Sequence, residues 1–276
     1  MTNNKRVGFA CSGGGVRAAS AVGMIAYIEK LGGKLSAISG SSCGAFIAAC
    51  YALGYSIDEI RDMMLSFWDK SFYRDYNVMG FVGKKSPFGF LRGKNFYSVF
   101  EKVFKDSLFE DVKIPLAINA IDLYKGDIVY FSSKETKKEK IKDAVAASVS
   151  IPIVYVPYKN KKKYYIDGGF LQQSPIEILI EFQVEHVITN KVIKSLKKPQ
   201  SLNSPIKILD QIFTILIKKI YEDNYQKVIK KINVFEFDPD LSNIDTHDIK
   251  KINECVEGGI IAINERKEEV KKIFGI

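Results

Sequence analysis

Ser42 lies at the centre of a pentapeptide with glycine at both ends, Gly40-Ser41-Ser42-Cys43-Gly44. This G-x-S-x-G pattern follows a short apolar run and precedes an apolar helical stretch, as in a nucleophile elbow, where a strand turns sharply into a helix. Glycine at positions 40 and 44 lets the backbone pass close to itself. Ser42 would then stand at a helix N-terminus, where the dipole and N–H groups favour an oxyanion. The pattern predicts a serine hydrolase, although an ordinary Ser/Gly turn can also produce it.

Three consecutive glycines, Gly13, Gly14 and Gly15, follow the first strand-like run. They leave a ribbon of N–H groups with no side chain in the way, which is what an oxyanion hole requires. With Ala18 they also fit the dinucleotide-binding fingerprint G-x-G-x-x-A. That alternative needs an acidic residue about 20 residues further on, and the second predicted strand, residues 35–39, contains none. We therefore favour an oxyanion hole and keep dinucleotide binding as the alternative.

A serine nucleophile needs a base, and Asp167 is the leading candidate. It ends an apolar strand-like run and precedes Gly168 and Gly169, a context that is also typical of a β-turn. The two histidines of the chain are in poorer settings. His186 lies in a buried strand-like segment, and His247 follows Asp-Thr at a predicted helix start, where capping accounts for it. We therefore expect a carboxylate base that is hydrogen-bonded directly to the serine hydroxyl.

The glycine loop, the G-x-S-x-G pentapeptide and the Asp-Gly-Gly turn resemble, in this order, the motifs of the patatin-like phospholipases. These are lipid acyl hydrolases that use a Ser-Asp dyad on a three-layer α/β/α fold. The resemblance covers about residues 5–180 and fades across the last third of the chain. Besides the three motifs, it includes residues 109–116, 121–123 with Gly126, 144–152 and 172–175.

This resemblance implies cleavage of carboxylic esters of phospholipids or related acyl lipids through an acyl-serine intermediate. It makes Ser42 the nucleophile, Asp167 the base and the three glycines the oxyanion hole, with no cofactor and no metal. The supporting positions are Arg17, Gly40, Cys43, Gly44 and Gly168. Ala18 departs from the glycine that is usual in the family but removes no N–H donor. The competing interpretation is a non-catalytic lipid-binding or scaffold protein that keeps the elbow as fold geometry; the intact motifs argue against it.

Composition agrees with one α/β domain over residues 1–276, with a motif-bearing core at about 5–190 and a C-terminal completion at about 200–276. Apolar residues make up 46% of the chain, enough for a core. The formal charge of +9 arises from 41 Lys and Arg against 32 Asp and Glu. No nucleic-acid recognition motif accompanies it. A solvated lysine-rich surface explains the charge, and peripheral contact with anionic headgroups is the functional alternative.

The uncharged segment 35–57 has the length of a membrane span. Its serines and glycines instead favour a buried strand followed by a buried helix. Near the N-terminus, glycines and Arg17 interrupt the apolar run that a secretory signal would need. We therefore expect a cytoplasmic protein. The four cysteines have no metal-ligand spacing and are expected to be buried thiols.

Strand-like and helix-like segments alternate, which predicts a three-layer α/β/α fold with a mostly parallel central sheet. We expect strands at residues 6–11, 35–39, 116–121, 128–131, 163–166, 184–189 and 234–237. We expect helices at residues 16–31, 43–53, 57–68, 95–104, 140–149, 176–182, 205–231 and 247–273. Gly13 and Ser42 then follow carboxyl ends of strands, where ligands bind in such sheets.

Two apolar segments allow more than one interpretation. Residues 71–94 combine aromatic side chains with lysines and fit either a lid over an acyl pocket or an ordinary loop. The predicted helix at 205–231 carries apolar residues at helical spacing, which favours core packing over a membrane anchor. These residues are Leu209, Phe213, Leu216 and Ile220.

Overall fold

The computed structural model describes residues 5–67, 75, 89–193, 196 and 203–276. Within these residues, eight strands form one sheet. The strands are β1 Val7–Cys11, β2 Ala37–Gly40, β3 Leu116–Asp122, β4 Ile128–Ser132, β5 Tyr158–Asn160, β6 Lys163–Asp167, β7 His186–Asn190 and β8 Asn233–Phe237. The sequence did not predict β5, a three-residue strand whose apolar pattern is too short to recognise and which is held by its pairing with β6.

The strand order is β5-β6-β3-β2-β1-β7-β8, and β4 pairs with β3 off this path. The pairs β1–β2, β1–β7, β2–β3 and β7–β8 are parallel. The pairs that involve β4, β5 and β6 are antiparallel. The sheet is therefore mostly parallel, as predicted, and β7 and β8 bring the last third of the chain into it.

The helices flank this sheet on both faces. They are α1 Ser20–Lys30, α2 Cys43–Leu53, α3 Ile57–Phe67, α4 Lys94–Phe104, α5 Ile141–Ser148, α6 Pro205–Val228, α7 Ile252–Glu265 and α8 Lys267–Phe274. The predicted helix at 16–31 starts as a 3-10 turn, Gly15–Ala19, and the one predicted at 176–182 is a 3-10 helix, Glu177–Phe182. The predicted helix at 247–273 is interrupted at Arg266, whose guanidinium stacks on the Phe237 ring.

Alternate residues of the strands face two separate hydrophobic clusters. Phe9 of β1 belongs to the larger cluster, which α1, α2, α5 and α7 complete. Its neighbour Ala10 belongs to the smaller cluster, which Leu179 and Val228 complete from the segment Glu177–Phe182 and from α6. The result is the three-layer α/β/α arrangement that the sequence predicts.

No helix in the described part of the chain has both the length and the apolarity to cross a bilayer, and the uncharged segment 35–57 contains β2 and α2 instead. Of the candidate lid, only Asp75 and residues 89–94 are described, so that prediction lies largely outside the described residues.

The expectation that Leu209 and Leu216 lie in the core is wrong, because both side chains are exposed. Helix α6 instead buries Tyr221 and Val228.

The strand β3 brings two other strand ends together. At its start β3 pairs with β2, whose last residue, Gly40, is opposite Ile118. Near its end β3 pairs with the antiparallel β6, whose last residue, Asp167, is opposite Ala120. Residues 117–121 pair with β4 as well, so β4 occupies one edge of β3 and both β2 and β6 occupy the other. The ends of β2 and β6 therefore approach each other along one edge, about two residues or 7 Å apart.

Candidate active site

The elbow at Ser42 has the geometry that its glycines predict. Ser42 has φ 52 and ψ −129 between the end of β2 and the start of α2. A non-glycine residue adopts such angles at a cost of about 1–3 kcal/mol, and they are typical of functional sites. A Cβ atom on Gly40 would overlap the carbonyl of Gly44, and one on Gly44 would overlap the carbonyl of Cys11. Glycine at both positions is thus a condition for the tight turn that presents Ser42.

The structure brings Ser42 and Asp167 into direct contact. Ser42 Oγ donates a hydrogen bond of 2.6 Å to Asp167 Oδ2. The other carboxylate oxygen, Oδ1, accepts the N–H of Gly169 at 2.8 Å. A Cβ atom on Gly168 would overlap the side-chain amide of Asn119, so this turn also needs glycine. Each carboxylate oxygen has one hydrogen-bond partner among the described residues, which fixes the orientation of the group toward the serine.

Burial determines the protonation of this carboxylate. Asp167 is 4% exposed, and desolvation raises its pKa to about 6. The hydrogen bonds from Ser42 and Gly169 lower the pKa but do not offset desolvation. The group is therefore ionised at neutral pH and is more basic than an exposed aspartate, as a general base should be.

The three glycines of the loop have different partners. Gly13 is held by Gln173, because its N–H donates to the main-chain oxygen of Gln173 and its carbonyl accepts from Nε2, both at 2.9 Å. The N–H of Gly15 lies close to the Cys43 thiol and lowers its pKa slightly against the larger effect of burial. Among the residues that the structure describes, none accepts from the N–H of Gly14. Gly14 is thus the loop donor available to a ligand, whereas the predicted donor Gly13 is already engaged.

Arg17 does not reach the dyad. Its guanidinium is buried and donates from Nε and Nη2 to the carbonyl of Ile244 at 2.8 and 2.5 Å. The adjacent N–H of Val16 donates to the carbonyl of Thr246. Desolvation lowers the pKa of Arg17, and the charge of Asp245 opposes that effect. Arg17 therefore fastens the end of the glycine loop to the segment that precedes α7.

The other candidate reactive groups are not placed for catalysis. Desolvation, together with the charge of Asp167, raises the pKa of the Cys43 thiol to about 12, so it is protonated at neutral pH. His186 starts β7 opposite Val7, at the amino end of β1, roughly 13 Å of strand from Cys11. His247 is exposed in the segment before α7.

Two residues that sequence reasoning did not select support the site. Ser148, at the end of α5, accepts the N–H of Ser42 with its Oγ at 2.9 Å. Asn190, at the end of β7, accepts the N–H of Ser12 at 2.9 Å and donates to Ser20 Oγ at 3.0 Å, which holds both sides of the glycine loop. Ser148 lies in a segment that contributed to the family resemblance, but its role depends on the fold.

The part of the chain that carries this site is similar to known proteins. The family model described as patatin-like phospholipase matches residues 9–180, which include the glycine loop, the elbow and Asp167. An uncharacterized protein of Acanthamoeba polyphaga mimivirus is 29% identical over 180 residues, which are 61% of this chain and 60% of that protein. A lysophospholipase of Candida albicans is 27% identical over 195 residues, which are 68% of this chain and 13% of that protein. The chain thus matches only part of each relative.

A solved structure shares the fold. Human GIVD cytosolic phospholipase A2 superimposes with a TM-score of 0.52 at 10% identity, over 99% of this chain and 60% of that chain. Its mostly parallel sheet and flanking helices are those described above.

Proposed function

The chain belongs to the patatin-like phospholipase family, and we propose that it hydrolyses carboxylic esters of phospholipids or related acyl lipids through an acyl-serine intermediate. The observation that carries the proposal is the 2.6 Å hydrogen bond from Ser42 Oγ to Asp167 Oδ2. A nucleophile in direct contact with a basic carboxylate is the minimal arrangement for covalent ester hydrolysis. The lipid substrate class is supported by the family and by the similarity to the lysophospholipase of Candida albicans.

The reaction has two halves. In the first, Asp167 Oδ2 takes the proton of Ser42 Oγ as this oxygen attacks the ester carbonyl, and the N–H of Gly14 and the N-terminus of α2 stabilise the oxyanion. The tetrahedral intermediate collapses, the carboxyl group of Asp167 returns the proton to the leaving alcohol, and an acyl-serine remains. In the second half, Asp167 deprotonates a water molecule that attacks the acyl-serine, and the free acid leaves as Ser42 regains its proton.

The proposal is tested by following p-nitrophenyl ester hydrolysis and fluorophosphonate labelling from about pH 4.5 to about pH 8.5. Because the base must be ionised, kcat/KM should rise about tenfold per pH unit and level off above about pH 6, where the buried Asp167 titrates. The label should be found on the peptide that contains Ser42. A protein that is folded, yet neither hydrolyses esters nor accepts the label at any pH, would instead be a non-catalytic lipid-binding protein.

Gly14 tests the oxyanion donor. A Cβ atom there would lie 2.8 Å from Cγ2 of Val192, and φ is +154, so Gly14→Ala must shift the loop. We expect kcat to fall by about 10²- to 10³-fold, the usual effect of losing one such donor. KM should change much less, since the donor acts mainly in the transition state.

Gly126→Ala is the matched control for this variant. Gly126, in the turn between β3 and β4, also has a positive φ, +73, but an added Cβ there would meet no described residue within 4 Å apart from its chain neighbours. Its kcat should equal that of the wild type. If the loop instead bound a dinucleotide, NAD would raise the melting temperature of the wild type and not that of Gly14→Ala. If NAD produces that shift and Gly14→Ala keeps its esterase activity, the glycine loop binds a dinucleotide and is not the oxyanion hole.

We also propose that the protein is cytoplasmic, as expected from the sequence, and that it makes peripheral contact with an anionic membrane surface, where acyl lipids are presented. The formal charge of +9 supports such contact. In this proposal the chain is a single domain, and the reaction requires no cofactor.

A further inference from the structure

Helix α6 is much longer than the strands that it connects. Its 24 residues span about 36 Å, whereas β7 and β8 have five residues each, about 17 Å. Since β7 and β8 are parallel, α6 starts at the carboxyl edge of the sheet and returns to the amino edge. Only four residues separate its end from β8. The surplus length therefore lies at its N-terminal half, beyond the edge where β1 and β2 lead into the glycine loop and Ser42.

Two contacts fix the position of α6 relative to the dyad. The Phe213 ring packs edge-on against Phe170, with centroids 5.3 Å apart. Asn224 donates to the carbonyl of Leu171 at 2.9 Å. Phe170 and Leu171 directly follow the turn after Asp167. The first half of α6 is thus anchored beside the base and projects past it.

The projecting half carries an exposed apolar stripe. Its five members are between 37% and 51% exposed, and their spacing of i, i+1, i+4, i+7 and i+8 places them on one side of the helix. They are Ile208, Leu209, Ile212, Ile215 and Leu216. A contiguous apolar surface of this kind marks contact with a protein, a ligand or a membrane.

The charges near the apolar stripe favour an anionic surface. Residues 205–219 contain three lysines, Lys207, Lys218 and Lys219, and one acid, Asp210, an excess of two positive charges. The remaining residues, 220–228, contain Glu222, Asp223 and Lys227, an excess of one negative charge. All three of these lysines are exposed, and Lys219 also forms an ion pair with Asp223 at 3.3 Å. Basic residues beside an exposed aliphatic face are typical of helices that lie in a membrane interface.

We propose that residues 207–219 of α6 form the membrane-docking surface of this protein, with the apolar stripe inserted among the acyl chains and the three lysines on anionic headgroups. The surface stands beside Asp167, so docking brings lipid esters to the dyad. Docking itself requires only the surface; its role in catalysis rests on the proposed function.

Vesicle binding tests this surface without catalysis. The 276-residue chain carrying Ser42→Ala, so that lipid is not consumed, is sedimented with phosphatidylcholine vesicles containing phosphatidylserine. Leu216→Glu or Ile212→Glu in this background should lower vesicle affinity by about 10- to 100-fold, the effect of losing one buried aliphatic side chain. Gln226→Glu is the matched control, since it adds the same charge at an exposed position nearer the C-terminal end of α6. Its affinity should remain within about twofold of the parent.

Hydrolysis assays of variants that retain Ser42 distinguish the docking hypothesis from the proposed hydrolase function. Leu216→Glu should retain wild-type hydrolysis of soluble p-nitrophenyl butyrate and lose hydrolysis of vesicle lipid by the factor by which binding falls. Equal vesicle affinity of Leu216→Glu and Gln226→Glu overturns the docking surface. So does a vesicle-free dimer that Leu216→Glu dissociates, because the stripe would then be covered by a second copy of the chain. Absence of hydrolysis by the wild type, with the pattern of vesicle binding as expected, would overturn the proposed function alone.

Discussion

Replacing Ser42 with alanine is expected to lower kcat for any ester by about 10⁴-fold or more, since nucleophile and base act as a unit. The removed Oγ is the donor of the hydrogen bond to Asp167, and no other described hydroxyl donates to that carboxylate. Purified variants are compared by p-nitrophenol release and by fluorophosphonate labelling. Ser42→Ala should show neither above background.

Ser41→Ala is the matched control in the same pentapeptide. The Ser41 hydroxyl is buried and has no hydrogen-bond partner among the described residues, so its loss should leave kcat unchanged. Cys43→Ala tests the neighbouring thiol, which is protonated at neutral pH, and should also remain active. Labelling of Ser42→Ala at the wild-type rate, or inactivity of a folded Cys43→Ala, would contradict the assignment of Ser42.

Asp167→Asn is expected to lower kcat nearly as far as Ser42→Ala. The amide can occupy the same space and accept the N–H of Gly169, but it cannot take the serine proton. Burial raises the pKa of Asp167, so the ionised form is costly to bury above about pH 6. The neutral amide should therefore not reduce the melting temperature at pH 8, and melting curves distinguish lost chemistry from lost folding.

The histidines provide the complementary variant. His186→Gln with His247→Gln should keep most activity and the same pH midpoint near 6, because His186 lies at the amino end of its strand and neither histidine is among the groups that shift the pKa of Asp167. Inactivity of the folded double variant would indicate a triad instead of a dyad.

Much of the site is recognisable from the sequence because its geometry is local. The elbow at Ser42 and the turn after Asp167 depend on glycines close to the functional residue in the sequence. A short sequence motif is therefore enough to identify both turns. The engagement of Gly13 is different, since its partner Gln173 is 160 residues away. Ser148 depends likewise on where α5 ends relative to β2. No local pattern specifies such contacts.

Helix α6 illustrates a second limit. The spacing of Leu209, Phe213, Leu216 and Ile220 correctly indicates a helix, but periodicity does not identify which apolar side packs on the protein. In the structure, Tyr221 and Val228 are buried against the protein, whereas Leu209 and Leu216 are exposed. The strand β5 was missed for the opposite reason, because three residues are too few for a pattern and pairing with β6 determines their conformation.

Strands β2 and β6 pair with the same edge of β3, and this arrangement sets the distance between Ser42 and Asp167. Gly40 and Asp167 take their positions from hydrogen bonds to the same strand, so the distance from nucleophile to base is independent of how many residues join β3 to β6. Residues 123–127, which link β3 to β4, can therefore lengthen or shorten without disturbing the dyad. A slip of β6 by one residue would instead turn the carboxylate to the opposite face of the sheet. The dyad thus depends on the strand register and not on the length of the surface connections.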